Sequence, residues 1–268
     1  MSRFVVLSDL HIVPKGDLSH ALDTAERLEM AVQHINAHHA DAAFCLLLGD
    51  LADEGDAASY ARMREIIADL NIPVHLTLGN HDDRPCFLDV FGSEYAHEST
   101  GCLDFGLDLD ETRILVLDTS EPGLTAGRLS DAQLEWFKAE LAAARGRPIL
   151  VALHHAITAL GVPTDFINLE EPERFIEAAR AGGVRMVISG HVHMSTAGVV
   201  GGVPFTTIAG CHYNIFPQMG GDIATVPRFD GPGQLGNVLL GKDGIVVHHE
   251  TFFDRHVRQP APLHAWST

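Results

Sequence analysis

Five times along this chain a short apolar run ends abruptly in an acid, an amide or an imidazole, and that repetition constrains the fold more than any other feature. Phe4 to Ser8 runs into Asp9-Leu10-His11, and Ala43 to Leu48 into Gly49-Asp50. Pro73 to Leu78 meets Gly79-Asn80-His81-Asp82, Pro148 to Leu153 meets His154-His155, and Val184 to Ser189 meets Gly190-His191-Val192-His193. Runs of this length without polar alternation suit strands buried on both faces. Helical periodicity fills the gaps. Asp17 and Ser19 are acceptable N-caps ahead of Leu28, Ala31, Val32 and Ile35, a helix expected to end near His39. Ala57 to Leu70 reads as a second helix, Ser130 to Gln133 as a capping box before Leu134, Phe137 and Leu141, and a further helix is expected around Glu171 to Ala181. The rhythm of strand, polar turn and helix is that of an α/β fold with a mainly parallel sheet. In such a sheet the carboxyl ends of the strands lie along one edge, where residues far apart in sequence can converge.

Beyond Ser195 the pattern changes to short apolar runs between glycines, such as Val203 to Ile208 and Val238 to Leu240, which suggests antiparallel strands. Pro217 to Gly236 is rich in Gly and Pro and reads as a long loop. No repeat or linker divides the chain, so residues 1–268 are expected to form a single domain with a sheet-rich part from about 195 onward. A hydrophobic content of 46% against 20% charged residues excludes the disordered and fibrous classes. The 18 Lys and Arg against 36 Asp and Glu give a net charge of −18, a field that repels phosphate polymers and anionic lipid. Neither a nucleic-acid polymer nor a membrane is therefore expected as a partner. The first apolar run is broken by Asp9, too soon for a signal peptide or a membrane span, and a cytoplasmic location is expected. The four cysteines are widely spaced and read as reduced thiols.

Asp, Asn and His side chains together are oxygen and nitrogen donors suited to Zn, Mn, Fe or Co. Seven candidates, Asp9, His11, Asp50, Asn80, His154, His191 and His193, are too many for one ion. Two ions use them economically if Asp50 supplies one oxygen to each, which implies a separation of about 3.5–4 Å.

These blocks, present in order, resemble the calcineurin-like metallophosphoesterase superfamily over roughly residues 4 to 212. The chain is most similar to its bacterial class III cyclic-nucleotide and glycerophosphodiester phosphodiesterases, partly through Leu129-Ser130-x-x-Gln133-Leu134-x-Trp136. The resemblance implies a metallophosphoesterase-type α/β/β/α sandwich of two mixed sheets flanked by helices. It also implies two divalent or mixed-valence transition-metal ions (Mn, Fe, Zn or Co) per chain. It puts Asp9, His11, Asp50 and His193 on one ion, and Asp50, Asn80, His154 and His191 on the other. Asp50 and His81 are then the catalytic residues, His81 pointing at the phosphate as a hydrogen-bond or proton donor; Asn80, His81 and His212 are expected to contact substrate. The implied reaction is attack of a metal-held hydroxide on the phosphorus of a small diester, a cyclic nucleotide such as 3',5'-cAMP or a glycerophosphodiester. The phosphoprotein phosphatases of the superfamily carry Asp-Arg-Gly after Gly-Asp, where this chain has Leu51-Ala52-Asp53-Glu54-Gly55. A phosphomonoesterase and a non-catalytic metal-binding scaffold are the alternatives.

The remaining candidates have plainer readings. His34, His38, His39, His248, His249 and His256 are assigned no metal, and His75 is assigned to packing. His155 either orients its neighbour or caps the turn. The acids Asp104, Asp108, Asp110 and Glu111 read as a solvated hairpin face, while Asp53 and Asp82 lie beside the site blocks without an assigned role. Residues 86–99, 157–168 and 212–236 are expected to line the pocket rim, with Asp165 and Asn168 as candidate contacts. The apolar stretches Thr251 to Phe253 and Pro260 to Trp266 suggest association into a homo-oligomer.

Overall fold

The first strand explains how the apolar runs are used. In β1 (Ser2–Leu7) the residues Phe4, Val5, Val6 and Leu7 have no exposed surface, because successive side chains point to opposite faces and both faces are covered. Phe4 and Val6 meet Leu46, Leu48, Ile114, Val116 and Leu150 in an apolar layer between two sheets. Val5 and Leu7 meet Leu28, Ala31, Ile35, Tyr60 and Met63, which lie on helices outside. Truncating any of these Leu, Ile or Met side chains to Ala would cost roughly 2–5 kcal/mol.

The computed structural model describes residues 2–219 and 226–253. After β1 come α1 (Thr24–His38), β2 (Cys45–Leu48), α2 (Ala57–Ile67), β3 (Val74–Thr77) and α3 (Arg84–Phe91). A hairpin of β4 (Phe105–Leu109) and β5 (Thr112–Leu117) leads to α4 (Asp131–Ala143), β6 (Ile149–Leu153), α5 (Pro172–Gly182) and β7 (Val184–Ser189). The later strands are β8 (Thr196–Val200), β9 (Val203–Thr207), β10 (Asn214–Ile215), β11 (Arg228–Phe229), β12 (Gln234–Leu240) and β13 (Ile245–Thr251). One sheet has the order β13-β12-β1-β2-β3 and the other β4-β5-β6-β7-β9-β8, with β10 and β11 forming a separate ribbon. Helices α1, α2 and α3 pack outside the first sheet and α4 and α5 outside the second. The expected sandwich of two mixed sheets flanked by helices is the observed fold. No helix among the described residues is long and apolar enough to cross a membrane.

Several local expectations need correction. The N-cap of α1 is Asp23, whose carboxylate accepts from the N–H groups of Ala25 and Glu26 at 3.2 Å, so neither Asp17 nor Ser19 fills that position. The capping box does hold, with Ser130 and Gln133 bonding reciprocally. Strands β12 and β13 are antiparallel, as expected of the late region, but β9 runs parallel to β7. Of the hairpin acids, Asp108, Asp110 and Glu111 are exposed while Asp104 is buried. His256 and Pro260 to Trp266 lie outside the described residues.

Candidate metal centre

The parallel strands β1, β2 and β3 deliver Asp9 and His11, Asp50, and Asn80 and His81 at their carboxyl ends; β6 and β7 of the other sheet deliver His154, His191 and His193. The loops from both sheets are tied together directly. The Asp9 N–H donates to Gly49 O at 3.1 Å, His11 N–H to Asp50 O at 2.9 Å and Gly190 N–H to His154 O at 2.9 Å. The His191 N–H donates to the Asp9 carboxylate at 3.0 Å, and the His81 N–H to Asp50 Oδ1 at 2.9 Å. Asp9, His11, Asp50 and His193 each offer a donor atom, all within 4.8 Å of one another; so do His154, His155 and His191, and His11, His193 and His212. Asp50 Oδ2 lies 3.5 Å from His11 Nε2 and 3.3 Å from His154 Nε2, between the two halves.

Reaching this arrangement strains the backbone. Asp9, His11, Asp50, His191 and His193 all have positive φ, from 47° to 70°, a region that costs side-chain-bearing residues on the order of 1 kcal/mol or more each. Both Asp9 and His11, and both His191 and His193, thereby leave the strand's alternation and face the centre together. Gly79 has no such strain but no room either. A Cβ there would strike Asp50 Oδ1 and come within 2.8 Å of His154 Nε2.

Each histidine is held by one nitrogen and leaves the other toward the centre, the arrangement that orients an imidazole for a metal. Nδ1 of His154 donates to Leu48 O at 2.8 Å and Nδ1 of His193 to Tyr213 O at 2.8 Å. Nδ1 of His11 donates to the Asp53 carboxylate at 2.9 Å, and His191 uses Nε2 instead, donating to Ile167 O at 2.9 Å. What remains is a set of buried atoms with no hydrogen-bond partner: His11 Nε2, Asn80 Oδ1, His154 Nε2, His191 Nδ1 and His212 Nδ1. Buried polar atoms are seldom left so, and bound cations would satisfy the four that belong to candidate ligands. The donor set therefore fits the divalent ions that the sequence implies.

At Asp50, His191 and His193 electrostatics favour the forms that donate to a cation. Burial opposes ionisation of Asp50, yet the neighbouring His154 and His11 hold its carboxyl well below the usual range. Burial, reinforced by His154, pushes His191 down to about 3. Burial likewise brings His193 down to about 4, against the raising influence of Asp9. His154 moves up to about 9, because the Asp50 and Asp9 carboxylates outweigh its burial. Ionised carboxylates and neutral imidazoles are the states that donate to a cation, so His154 must release a proton when an ion binds.

His155 uses both nitrogens elsewhere, on the Thr119 hydroxyl at 2.7 Å and Thr125 O at 3.2 Å. Its ring packs against those of His154 and His191 with centroids at 5.0 and 4.5 Å. His81 is exposed, and its Nδ1 donates to Asp53 O at 2.7 Å. His212 is fully buried with its ring 4.5 Å from that of His11. Asp165 and Asn168 serve their own loop. Asp165 accepts from the N–H groups of Leu160, Gly161 and Val162 at 2.7–3.1 Å, and Asn168 Nδ2 donates to Thr158 O at 3.0 Å.

Two residues left without a role at the level of sequence act here. Asp53 orients His11 through its carboxylate and His81 through its carbonyl. Asp82 is half-buried and accepts from the N–H groups of Leu51, Ala52 and Gly79, all at 2.9–3.1 Å, and from the Tyr60 hydroxyl at 3.0 Å. It clamps the loop after β2 to the loop after β3. A carboxylate three residues after the glycine of a Gly-Asn turn was the available signal, since such a turn exposes N–H groups for an acid to cap.

Fold and centre together define a two-sheet α/β protein with a histidine and aspartate centre able to hold metal. The calcineurin-like phosphoesterase family model matches residues 2–195, and the chain belongs to that family. It is 32% identical to a probable cyclic nucleotide phosphodiesterase of Rhodococcus erythropolis, covering 97% of this chain and 87% of the relative. It is 28% identical to a probable glycerophosphodiester phosphodiesterase of Arcobacter nitrofigilis, covering 70% and 71%. The solved structure of a dimetal phosphatase from Danio rerio superposes with a TM-score of 0.68 at 15% identity, covering 94% of this chain and 97% of that one.

Proposed function

We propose that the chain is a phosphodiesterase that hydrolyses small phosphodiesters, cyclic nucleotides or glycerophosphodiesters, with two divalent transition-metal ions. Asp9, His11, Asp50 and His193 would hold one ion, and Asp50, Asn80, His154 and His191 the other. The observation that carries this reading is the set of buried, partnerless imidazole and amide atoms converging around Asp50 from five strand ends. When bound, the ions would acidify a water and neutralise charge on the phosphate oxygens.

The chain's own residues supply the rest. The Asp53 carbonyl fixes the proton of His81 on Nδ1, so Nε2 faces outward from an exposed ring, free to carry the second proton. Protonated, it is placed to give that proton to the departing alkoxide. Asn80 and His212 would contact the phosphate. The acidic surface selects against long polyanions, because a polymer would bring many phosphates against a net charge of −18.

The test is hydrolysis of bis(4-nitrophenyl) phosphate against 4-nitrophenyl phosphate by metal-stripped protein reloaded with Mn, Zn, Fe or Co, alongside Asn80→Ala. Metal-dependent turnover favouring the diester and lost in the variant supports the reading. Preference for the monoester redirects it to a phosphatase, and no turnover with any metal favours a scaffold.

A further inference from the structure

The ribbon of β10 and β11 carries an exposed cation beside the centre that no part of the reaction above uses. Ile215 is paired with Arg228 and Asn214 with Phe229. Cross-strand partners share a face while successive residues alternate. Arg228 thus lies on the face with Ile215, which packs on Val192 and Met194 beside the centre. Its guanidinium carbon stands 4.6 Å over the ring of Tyr213, and its NH1 lies 3.0 Å from the His20 ring nitrogen. Tyr213 in turn stacks on His193, with centroids at 4.2 Å and planes within 14°. His193, Tyr213 and Arg228 form a column that starts at a candidate metal ligand and ends at an exposed planar cation. The column is braced from α1, where the Arg27 guanidinium donates to the carbonyls of His212 at 2.6 Å and of Asp230.

On the basis of the diesterase reading, we propose that Arg228 is a specificity-determining residue whose open face receives the planar base of a nucleotide diester. A guanidinium already resting on one aromatic ring offers its other face for a second, and Arg is weakly hydrated enough to stack. Cation–π and stacking contacts of this kind do not require a particular base. A nucleotide holds its base a sugar's length from the phosphate, and Arg228 is an exposed cation two stacked layers from His193. A glycerol ester has no ring to place there. A lysine at 228 would keep the charge and lose the plane.

The test compares wild type, Arg228→Ala and Arg228→Lys as metal-reloaded holoenzymes on adenosine 3',5'-cyclic phosphate and on glycerophosphoglycerol, with adenosine 5'-monophosphate and glycerol phosphate as competing inhibitors. In Arg228→Ala the ratio of kcat/KM for the nucleotide over the glycerol diester should fall about tenfold, carried mainly by KM. Inhibition by the adenosine monophosphate should weaken by a similar factor, and Arg228→Lys should not restore either. An unchanged ratio, full rescue by lysine, or a wild type that cleaves only the glycerol diester overturns the role of Arg228 and leaves the diesterase reading standing. A wild type that cleaves neither these nor bis(4-nitrophenyl) phosphate defeats both.

Discussion

Among the described residues, one cluster of histidine and carboxylate is buried at the centre and another is half-buried between α1 and β13, and they are built to opposite ends. At the centre, His11, His154 and His193 point their Nε2 atoms at Asp50 and Asp9 across 3.3–3.5 Å, too far and too poorly directed for hydrogen bonds. Between α1 and β13, Glu250 takes His34 Nε2 at 2.7 Å on one oxygen and meets His39 Nε2 at 3.1 Å on the other. Arg3 approaches the far nitrogen of His39 at 2.6 Å. An arginine can only donate, so His39 Nδ1 must accept and its proton must sit on Nε2, facing the Glu250 carboxylate. That imidazole has no lone pair left for a cation. At the centre His11, His154, His191 and His193 each donate one N–H to a carbonyl or to Asp53 on the outside and turn the other nitrogen inward. Residue type and proximity are the same in both clusters, and proton placement separates the ligand from the structural histidine.

The comparison is broken most severely at Asp50. Asp50→Asn should lose at least one ion and reduce kcat/KM by about 10³-fold or more, because a bridging carboxylate supports several kcal/mol of charge stabilisation. Elemental analysis of purified protein together with diester turnover checks this, and full metal content with near-normal rate would count against the bridge. Asp53→Ala leaves every candidate ligand in place but frees the His11 ring. Metal affinity or activity should fall about 10–100-fold, read by titrating metal-stripped protein. No change would mean that the strained loop alone sets the ring.

How much of this was legible in sequence follows from how local each signal is. Each candidate ligand sits directly after its own buried strand, so the run and its polar end are read together, and the parallel order of the strands does the converging. The roles of Asp53 and Asp82 depend on loops from two different strands meeting, and nothing within their own neighbourhood announces that. Asp23 displaced Asp17 and Ser19 as the cap of α1 because a carboxylate closer to the first turn could reach two N–H groups. Strand β9 could not be told from an antiparallel one, since pairing direction leaves no trace in a five-residue run. Asp104 is the sharpest case. It shares a string of acids with exposed neighbours, but Gln133 from α4 and the Asp118 N–H close over it at 3.0 and 2.9 Å.

Asp104 also sharpens the comparison, as a buried acid whose hydrogen-bond donors are all neutral groups. Burial, with Asp118 adding like charge, pushes its carboxyl up to about 6 despite the hydrogen bonds it accepts. The folded value exceeds the ordinary 3.8, so between about pH 4 and 6 the folded chain keeps a proton that the unfolded chain releases. Stability therefore falls as pH rises through that window, by about 3 kcal/mol in all. Asp104→Asn keeps the acceptor for Asp118 N–H and Gln133 and removes the charge. It should be more stable than wild type by about 1–3 kcal/mol at pH 8, with the gap closing toward pH 4. Urea unfolding at both pH values checks the sign, and a variant destabilised at pH 8 would show that the carboxylate is needed there.

The smallest effect is expected at Glu250. Burial alone would raise its carboxyl, but the His34 and His39 N–H groups that face it bring it below its ordinary 4.5. Its contribution to stability is accordingly present above that value and lost as pH falls through the lowered one. A glutamine has one acceptor and one donor to set against two imidazole N–H groups, so Glu250→Gln can satisfy only one of them and turns its amide N–H against the other. A loss of about 1 kcal/mol at pH 7 follows, measured as a lowered urea midpoint that converges with wild type toward pH 4. Metal content and kcat/KM should stay as they are, because neither His34 nor His39 offers a cation the lone pair that His11, His154 and His193 do. If the variant instead lost bound metal, the cluster would be a third ion site, and the proton placement argued from Arg3 would be the step that failed.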